Sequence, residues 1–275
     1  MARIISGTEF LESVKTDIKA RIKNCIIRPS VAVIEIGDNK LNEIYSRLQE
    51  ELCNEVGIYY RHYKFESDTT ELTIINKIKE LNNDDYVHGI QVLLPILDKY
   101  NEKRLLNTIS NSKDVDGLTD INLGRLISGR KTIISCTSLA IMDLFNIENI
   151  DLCGKEVVLV GKGRALGRSL ITLLLNSGAT VTICHSNTKD LKKHLLDADI
   201  VISAVGKKGL ITDVKDDAIV IDLGYEVIDD KVHGDVNTAK VGKKASIISS
   251  SKDGIGTFAL AEFIKNVVLC YENKK

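Results

Sequence analysis

A glycine-rich turn between an apolar strand and an apolar helix constrains the fold of this chain more than any other stretch. Four aliphatic residues, Val157 to Val160, run into a turn with glycine at 161, 163 and 167, and a helical apolar pattern follows from Ser169 to Leu175. A strand, a tight turn and a helix N-terminus in this order hold a dinucleotide pyrophosphate in many proteins. In that role Gly161 permits the turn, Gly163 lets the backbone approach the phosphates, and Gly167 lets the helix pack closely on the strand.

The glycine spacing is G-x-G-x-x-x-G, one residue longer than the six-residue dinucleotide fingerprint, and alone it fits a structural turn equally well. Its surroundings favour a nucleotide site. Further apolar runs at 179–184, 199–206 and 218–224 alternate with helical patterns, and the last two end in glycine. Such runs are typical of parallel strands covered on both faces, and ligands bind at the carboxyl ends of those strands. The sequence therefore predicts a Rossmann-type α/β sheet in this half of the chain.

Composition argues against several classes of protein. The 275 residues are enough for two domains, and 37 basic against 38 acidic residues leave no charge surplus for nucleic acid. No apolar run approaches the roughly 18 residues of a membrane span or the pattern of a signal peptide. The six cysteines are scattered without a C-x-x-C pair, which favours a reducing compartment and argues against a disulfide or metal framework. We expect a soluble cytoplasmic protein with no bound metal and no nucleic-acid or membrane partner.

The first half of the chain also alternates helical and strand patterns, and Pro95 should end the last strand. No linker or repeat marks a domain boundary, so the boundary must be inferred from the order of the elements. The predicted helices cover residues 8–25, 40–55, 71–81 and 102–109, the predicted strands cover 31–37, 58–65 and 89–95, and residues 118–148 are predicted to be mostly helical.

Five residues of this half form a candidate site. Tyr45 and Gln49 are four apart on the long predicted helix and share one face, while Gln91 and Leu93 share one face of a predicted strand. Asp116 lies in a polar turn. Taken alone, Tyr45 is better explained as a half-buried aromatic residue and Asp116 as a turn-stabilising carboxylate.

Taken in order, these motifs resemble the bifunctional methylenetetrahydrofolate dehydrogenase/methenyltetrahydrofolate cyclohydrolase (FolD) family. The resemblance covers nearly the whole chain, and Lys-Asp-Val-Asp-Gly followed by Asn-x-Gly-Arg-Leu is specific. The matching segments are the helix with Tyr45, Leu94-Pro95, 113–117, 122–126, Cys136-Thr137, 161–167, 220–224 and 234–236. The resemblance implies oxidation of 5,10-methylenetetrahydrofolate with NAD(P)⁺, followed by hydrolysis of the methenyl product to 10-formyltetrahydrofolate.

The resemblance also implies an architecture. It predicts two lobes around a cleft, a folate-binding catalytic lobe at 1–136 plus 254–275 and an NAD(P)-binding lobe at 137–253. The C-terminal helix, at about 257–271, should return to the first lobe, and its wide apolar face needs burial. The implied partners are a small-molecule folate and a second copy of the chain in a homodimer.

The site residues of the family carry over unevenly. Tyr45 matches the tyrosine that packs on the folate, and Asp116 matches the aspartate that hydrogen-bonds the pterin ring. Gln49 occupies the place of the catalytic lysine, and Leu93 occupies the place of a glutamine that supports that lysine. The folate loop keeps Gly254 and Gly256 as substrate-binding candidates but has lost the family's prolines, which would fix its φ angles.

The replacement of the lysine affects one of the two reactions more than the other. Hydride transfer needs mainly the correct orientation of folate and nicotinamide, whereas cyclohydrolysis needs a proton-transfer group, and a glutamine amide does not titrate near neutral pH. Four hypotheses follow: a dehydrogenase with weak or absent cyclohydrolase activity, a bifunctional enzyme in which Lys113 or bound water replaces the lysine, a catalytically silent binding protein, and a dehydrogenase with another substrate. We favour the first.

The predicted cofactor is NADP⁺ rather than NAD⁺. NAD-selective sites place a carboxylate at the end of the second strand, but here that end reads Cys-His-Ser-Asn at 184–187. Lys162, Arg164 and Ser186 are candidates to contact a 2′-phosphate, with exposed loop charges as the alternative explanation of the first two. Tyr225, directly after the glycine at 224, is a further cofactor-binding candidate.

Overall fold

The computed structural model describes residues 2–164, 168–224, 226–228, 231–249 and 254–273. The predicted site residues Gly167 and Tyr225, and residues 250–253 of the predicted folate loop, lie outside this part of the chain. The chain divides into two compact units. We call the first, Met1–Leu11 with Thr137–Ala259, the six-stranded unit, and the second, Glu12–Cys136 with Leu260–Lys275, the three-stranded unit.

Helices and strands alternate through both units. In chain order the elements are β1 (Arg3–Ile4), α1 (Thr8–Ile22), β2 (Ser30–Ile36), α2 (Lys40–Val56), β3 (Tyr59–Phe65), α3 (Glu71–Asn83), β4 (Gly89–Val92), α4 (Glu102–Thr108), α5 (Asp120–Ile127), α6 (Cys136–Ile147), β5 (Glu156–Val160), α7 (Ser169–Asn176), β6 (Thr180–Cys184), α8 (Leu191–Asp197), β7 (Ile200–Ser203), β8 (Ile219–Asp222), β9 (Glu226–Ile228), β10 (Lys231–His233), α9 (Thr238–Val241), β11 (Ile247–Ser249) and α10 (Gly256–Glu272).

The six-stranded unit is built on a parallel sheet with the strand order β1-β11-β8-β7-β5-β6. Along β5, Val157 and Leu159 join one apolar core with α6 and α7, whereas Val158 and Val160 join a second core with α8 and α9. The alternation confirms the predicted sheet covered on both faces. Because β6 lies on one side of β5 and β7 on the other, the chain changes direction at β5, and ligands bind at the carboxyl end of such a strand.

The N-terminus lies in a different unit from the one predicted. The predicted first lobe began at residue 1, but β1 pairs with β11 through Arg3 and Ile247, and Ile5 is buried in the core of the six-stranded unit. The first turn of α10 joins the same core, where the ring of Phe258 stacks on that of Phe10 at 4.9 Å between centroids. The predicted lobe assignment is therefore wrong for residues 1–11 and 254–259.

The three-stranded unit contains a parallel sheet with the order β3-β2-β4. Its long helix α2 begins where the side chain of Asn39 accepts hydrogen bonds from two backbone N–H groups, and ends at Gly57, whose φ of 87° suits glycine. The segment 118–148 is mostly helical, as predicted, with residues 128–135 separating α5 from α6.

The C-terminal helix packs on the three-stranded unit, as predicted. The side chain of Asn266 donates to the carbonyl oxygens of Val115 and Ile134, both at 2.8 Å. One turn later the ring of Tyr271 meets that of His88 edge-on at 4.9 Å between centroids. In the described part of the chain no helix is both long and apolar enough to cross a membrane.

Candidate functional site

A series of buried amide side chains connects α2 to the turn between α4 and α5 that contains Asp116. Gln49 Nε2 donates to Gln91 Oε1 at 2.9 Å, and Gln91 Nε2 donates to both carboxylate oxygens of Asp116, at 3.1 Å and 3.0 Å. At the other end, the hydroxyl of Tyr60 donates to Gln49 Oε1 at 3.5 Å and shares a 2.8 Å hydrogen bond with Ser46. Gln49 has no exposed surface and Gln91 is 4% exposed, so water does not compete for these bonds.

Backbone register brings these side chains together. Val31 on β2 pairs with Tyr60 on β3, and Val33 pairs with Gln91 on β4, so Tyr60 and Gln91 lie on the same face of the sheet. Helix α2 covers that face with Gln49, which is buried along with Asn42 and Ser46. Tyr45 lies one turn earlier on α2 and is half-buried.

The turn that contains Asp116 is fixed by its own sequence. The backbone N–H of Ile90 donates to the carbonyl of Lys113 at 2.6 Å, which ties the turn to β4. Asp114 Oδ2 accepts from the backbone N–H of Thr119 at 2.8 Å and from the side chain of Asn122 at 2.9 Å. The two motifs at 113–117 and 122–126 are therefore neighbours that hold each other, and Asp116 is the carboxylate of this turn that faces Gln91.

Burial and a neighbouring carboxylate make Asp116 harder to ionise than an ordinary aspartate. The pKa of Asp116 is raised to about 6: desolvation and the nearby charge of Asp114 raise it, while hydrogen bonds from Gln91 and Cys136 oppose the rise. Burial raises the pKa of the Cys136 thiol well above its ordinary value, so this thiol stays neutral. Asp116 thus has a pKa about one pH unit below neutral.

Lys113 has a different environment from the one that a proton shuttle needs. Its Nζ donates to the carbonyl oxygens of Leu81, Asn82 and Asp84 at 3.0 Å, 2.8 Å and 2.8 Å, and the residue is 7% exposed. These carbonyls lie at the C-terminal end of α3, where helices leave acceptors unsatisfied. The ammonium uses all three protons to close that helix end, which speaks against the hypothesis that it replaces the catalytic lysine.

Sequence reasoning placed Leu93 opposite Gln49, but the partner of Gln49 on β4 is Gln91. Leu93 is buried, and only its backbone N–H is used, donating to the carbonyl of Ile34 at 2.9 Å. The signal that could have found Gln91 was its place on the same strand face as Leu93. Tyr60 had no sequence signal, because its role depends on strand pairing.

The glycine turn of the six-stranded unit follows β5 directly. Gly161 has a φ of 124°, and a Cβ there would lie 3.0 Å from the carbonyl oxygen of Ala204. Both the backbone conformation and this close contact disfavour a side chain at position 161. Among the described residues, a Cβ on Gly163 would meet nothing within 4 Å, so its backbone is open to a ligand. These features fit the close approach of a dinucleotide.

Candidate phosphate-binding side chains lie beside this turn. Strands β5 and β6 run parallel, and their last residues, Val160 and Cys184, are paired. The residues that follow the two strands therefore begin at the same edge of the sheet. Lys162 and Ser186 are exposed and Arg164 is half-buried. No carboxylate occurs in the sequence from 184 to 189, where NAD-selective sites place one.

Two buried aspartates build the loop that lies against the glycine turn. Asp235 accepts from the hydroxyl of Ser203 at 2.7 Å and from the backbone N–H groups of Val205 and Lys207 at 2.8 Å and 2.6 Å. Asp222 accepts from the backbone N–H groups of Asp235 and Val236, both at 3.0 Å. Both aspartates belong to the motifs at 220–224 and 234–236, whose role here is to order the loop at 204–207.

The two glycines of the predicted folate loop have separate positions. A Cβ on Gly254 would lie 2.6 Å from the hydroxyl of Ser249 and 3.3 Å from the carbonyl oxygen of Ile5, so tight packing explains this glycine. Gly256 is the first residue of α10. The predicted contact of both with a substrate stays a prediction.

Comparison with known families accounts for both halves of the chain. The family model described as tetrahydrofolate dehydrogenase/cyclohydrolase, catalytic domain, matches residues 5–116. The model described as tetrahydrofolate dehydrogenase/cyclohydrolase, NAD(P)-binding domain, matches residues 135–275. The second match supports a nicotinamide dinucleotide as the cofactor of the glycine turn.

Several individual proteins are similar to this chain over nearly its full length. The bifunctional protein FolD of Nautilia profundicola is 38% identical over 276 residues, covering 98% of this chain and 97% of its own. A bifunctional FolD methylenetetrahydrofolate dehydrogenase/cyclohydrolase from Campylobacter jejuni is 35% identical, with a TM-score of 0.93 and 100% of each chain covered. The Trypanosoma brucei enzyme, solved with NADP and an inhibitor, is 28% identical with a TM-score of 0.93, covering 99% of this chain and 98% of its own.

Proposed function

Because the chain belongs to the tetrahydrofolate dehydrogenase/cyclohydrolase family, we propose that it oxidises 5,10-methylenetetrahydrofolate with NADP⁺ and has weak or absent cyclohydrolase activity. The observation that supports this division is the environment of Gln49. Its amide is bonded to the Gln91 amide and to the Tyr60 hydroxyl. Burial raises the pKa of that hydroxyl, so it stays protonated, and neither partner of Gln49 exchanges a proton near neutral pH.

Dehydrogenation does not require a titratable group at position 49. A bound nicotinamide supplies the hydride acceptor, and the chain supplies orientation. We assign Tyr45 to stacking on the folate and Asp116 to hydrogen bonds with the pterin ring. Asp116 suits this task because its ionised form is an acceptor for pterin N–H groups and Gln91 holds it in place.

A coupled absorbance assay tests the proposal. The protein is mixed with 5,10-methylenetetrahydrofolate and NADP⁺, and both NADPH and the methenyl product are followed. We expect NADPH to form and the methenyl compound to accumulate, disappearing no faster than in a control without protein. Rapid disappearance of the methenyl compound would show that the cyclohydrolase step survives. If calorimetry detects binding of neither NADP⁺ nor folate, the chain is not a dehydrogenase.

The choice of NADP⁺ over NAD⁺ rests on the charges beside the glycine turn. Lys162, Arg164 and Ser186 offer cationic and hydroxyl groups for a 2′-phosphate. The sequence from 184 to 189 contains no carboxylate that would repel it. We expect Lys162→Ala and Arg164→Ala each to lower the NADP⁺/NAD⁺ ratio of kcat/KM. Lys155→Ala is the matched control, because this exposed lysine precedes β5 at the opposite edge of the sheet. An unchanged ratio in both variants would contradict the assignment.

We further infer that the six-stranded unit forms a homodimer. Support comes from β6, an edge strand of the sheet, where Ile183 is exposed, and from Leu175, which is exposed on α7. Apolar edge strands tend to pair with another chain. Light scattering after size exclusion should give twice the chain mass, and Ile183→Lys should shift the protein to monomer. A monomeric wild type would end this inference.

A further inference from the structure

The hydrogen bonds that link Gln49, Gln91 and Asp116 all run the same way, with each donor on the Gln49 side and each acceptor on the Asp116 side. Gln91 sets this direction. An ionised carboxylate only accepts hydrogen bonds, so Gln91 must turn Nε2 toward Asp116. Its Oε1 then faces Gln49, whose Nε2 donates to it, and Gln49 Oε1 is left to accept from Tyr60. Each link has one donor and one acceptor in this direction.

The opposite direction is available only to a protonated site. If Gln91 turned its Oε1 toward an ionised Asp116, two acceptors would face each other in a region where water does not enter. Reversal therefore requires a proton on Asp116 together with rotation of both glutamine amides. The orientation of the two glutamine amides and the charge of Asp116 therefore change together.

Apart from the Cys136 thiol, which donates a hydrogen bond to it, the titratable groups around Asp116 do not favour its charge. Asp114 lies in the same turn and repels it, and Glu262 on α10 adds negative charge beside Cys136. Burial keeps the thiols of Cys136 on α6 and Cys270 on α10 neutral by raising their pKa values. Donation from Gln91 is the largest contribution that lowers the pKa of Asp116, followed by donation from the Cys136 thiol.

We propose that Gln91 is the positioning residue of this site, which keeps the Asp116 carboxylate ionised and fixes the Gln49 amide in a single orientation. The ligand that such a carboxylate selects is a heterocycle with N–H donors. Naming that heterocycle as a reduced pterin rests on the proposed function, but the role of Gln91 does not. Gln91 performs this role two residues before Leu93, the position where sequence reasoning placed the supporting residue.

The test measures the titration of Asp116 in the free protein. The chain is labelled with ¹³C at the aspartate carboxyl carbons, and the Asp116 signal is assigned by its loss in Asp116→Asn. Gln91→Met keeps the length of the side chain but removes both hydrogen bonds, and we expect it to raise the pKa of Asp116 by about 1. Ile90→Met is the matched control, because Ile90 is buried on the opposite face of β4, and it should leave the titration unchanged.

A second variant keeps the test decisive if Gln91→Met does not fold. Gln49→Met leaves the Gln91 donor in place but removes the partner that orients it, so we expect a smaller rise in the pKa of Asp116. An unchanged titration in Gln91→Met, or in Gln49→Met when the first does not fold, overturns the proposal. An equal rise in Ile90→Met does so as well.

Kinetics then separate this proposal from the proposed function. For the dehydrogenase reaction, the acid limb of the kcat/KM profile should move to higher pH in Gln91→Met by the same amount as the carboxyl titration. A wild type without dehydrogenase activity would refute the proposed function, while the carboxyl titration would still decide the role of Gln91. A moved titration with an unmoved acid limb would refute the positioning role in catalysis.

Discussion

Replacing Asp116 by asparagine should make the protein more resistant to unfolding at neutral pH while weakening its affinity for folate. The carboxyl has a pKa of about 6 in the folded chain against 3.8 for an ordinary aspartate. A raised folded pKa means that the folded state holds the proton longer than the unfolded state. Its stabilising contribution is fully present below pH 3.8 and is lost as the pH rises through 6.

The magnitude follows from that difference in pKa. At neutral pH the ionised carboxyl costs the folded state about 3 kcal/mol relative to the unfolded state. About 1 kcal/mol of this is already present at pH 4.5, because the unfolded aspartate has begun to ionise. Between pH 4.5 and 7.5 the stability of Asp116→Asn relative to wild type should therefore increase by about 2 kcal/mol. Other carboxylates titrate alike in both proteins, so their contributions cancel.

Urea unfolding at the two pH values measures this difference. The chain has no tryptophan, so circular dichroism is the suitable signal. Asp84→Asn is the control, because the backbone N–H of Tyr86 and the side chain of Arg61 lower the pKa of Asp84 below its ordinary value of 3.8. Since that pKa lies below both pH values, the stability of Asp84→Asn relative to wild type should be nearly the same at pH 4.5 and pH 7.5. If Asp116→Asn shows no pH-dependent gain, the argument from desolvation is wrong.

Further substitutions test other parts of the structure. Gly224→Ala should destabilise the protein by more than about 2 kcal/mol in thermal or urea unfolding, because a Cβ there would lie 1.9 Å from the buried carboxyl carbon at 235. Gly163→Ala should leave unfolding unchanged and weaken NADP⁺ binding in calorimetry, because its Cβ would meet only open space; equal loss of stability in both variants would contradict this. Gln49→Lys should gain cyclohydrolase activity through contact with Gln91 Oε1, and adding Leu93→Gln should change the rate little. A large effect of the second change would show that Leu93, not Gln91, faces position 49.

The sequence predicted four strands of the six-stranded sheet, β5, β6, β7 and β8, because each appears as a nearly continuous apolar run. Strand β1 was missed, since two residues carry no pattern and their partner β11 lies more than 240 positions away. The segment 118–148 was predicted to be mostly helical, and α5 and α6 cover most of it, but the apolar pattern did not locate the break at 128–135.

The residues of the candidate site also differ in whether the sequence could predict them. Asp116 could be predicted from a local motif, because its turn is held by residues only a few positions away. The partner of Gln49 could not, since Gln91 and Leu93 share one strand face and only the reach of the side chains decides between them. Tyr60 entered the network through the pairing of β3 with β2, which spacing in the sequence does not encode.

The division of the chain into units has a consequence for its synthesis. Residues 1–11 complete a unit whose other residues run from 137 to 259, and residues 260–275 complete the unit that begins at residue 12. Strand β1 is translated long before β11, the strand with which it pairs. The carbonyl of Val115 likewise gains its hydrogen bond only after Asn266 has been translated. We therefore expect the six-stranded unit to close only after the first turn of α10 has been translated, and the three-stranded unit only after the rest of that helix. A nascent chain stopped before α10 should therefore remain sensitive to protease along its whole length, although most of its residues have already been made.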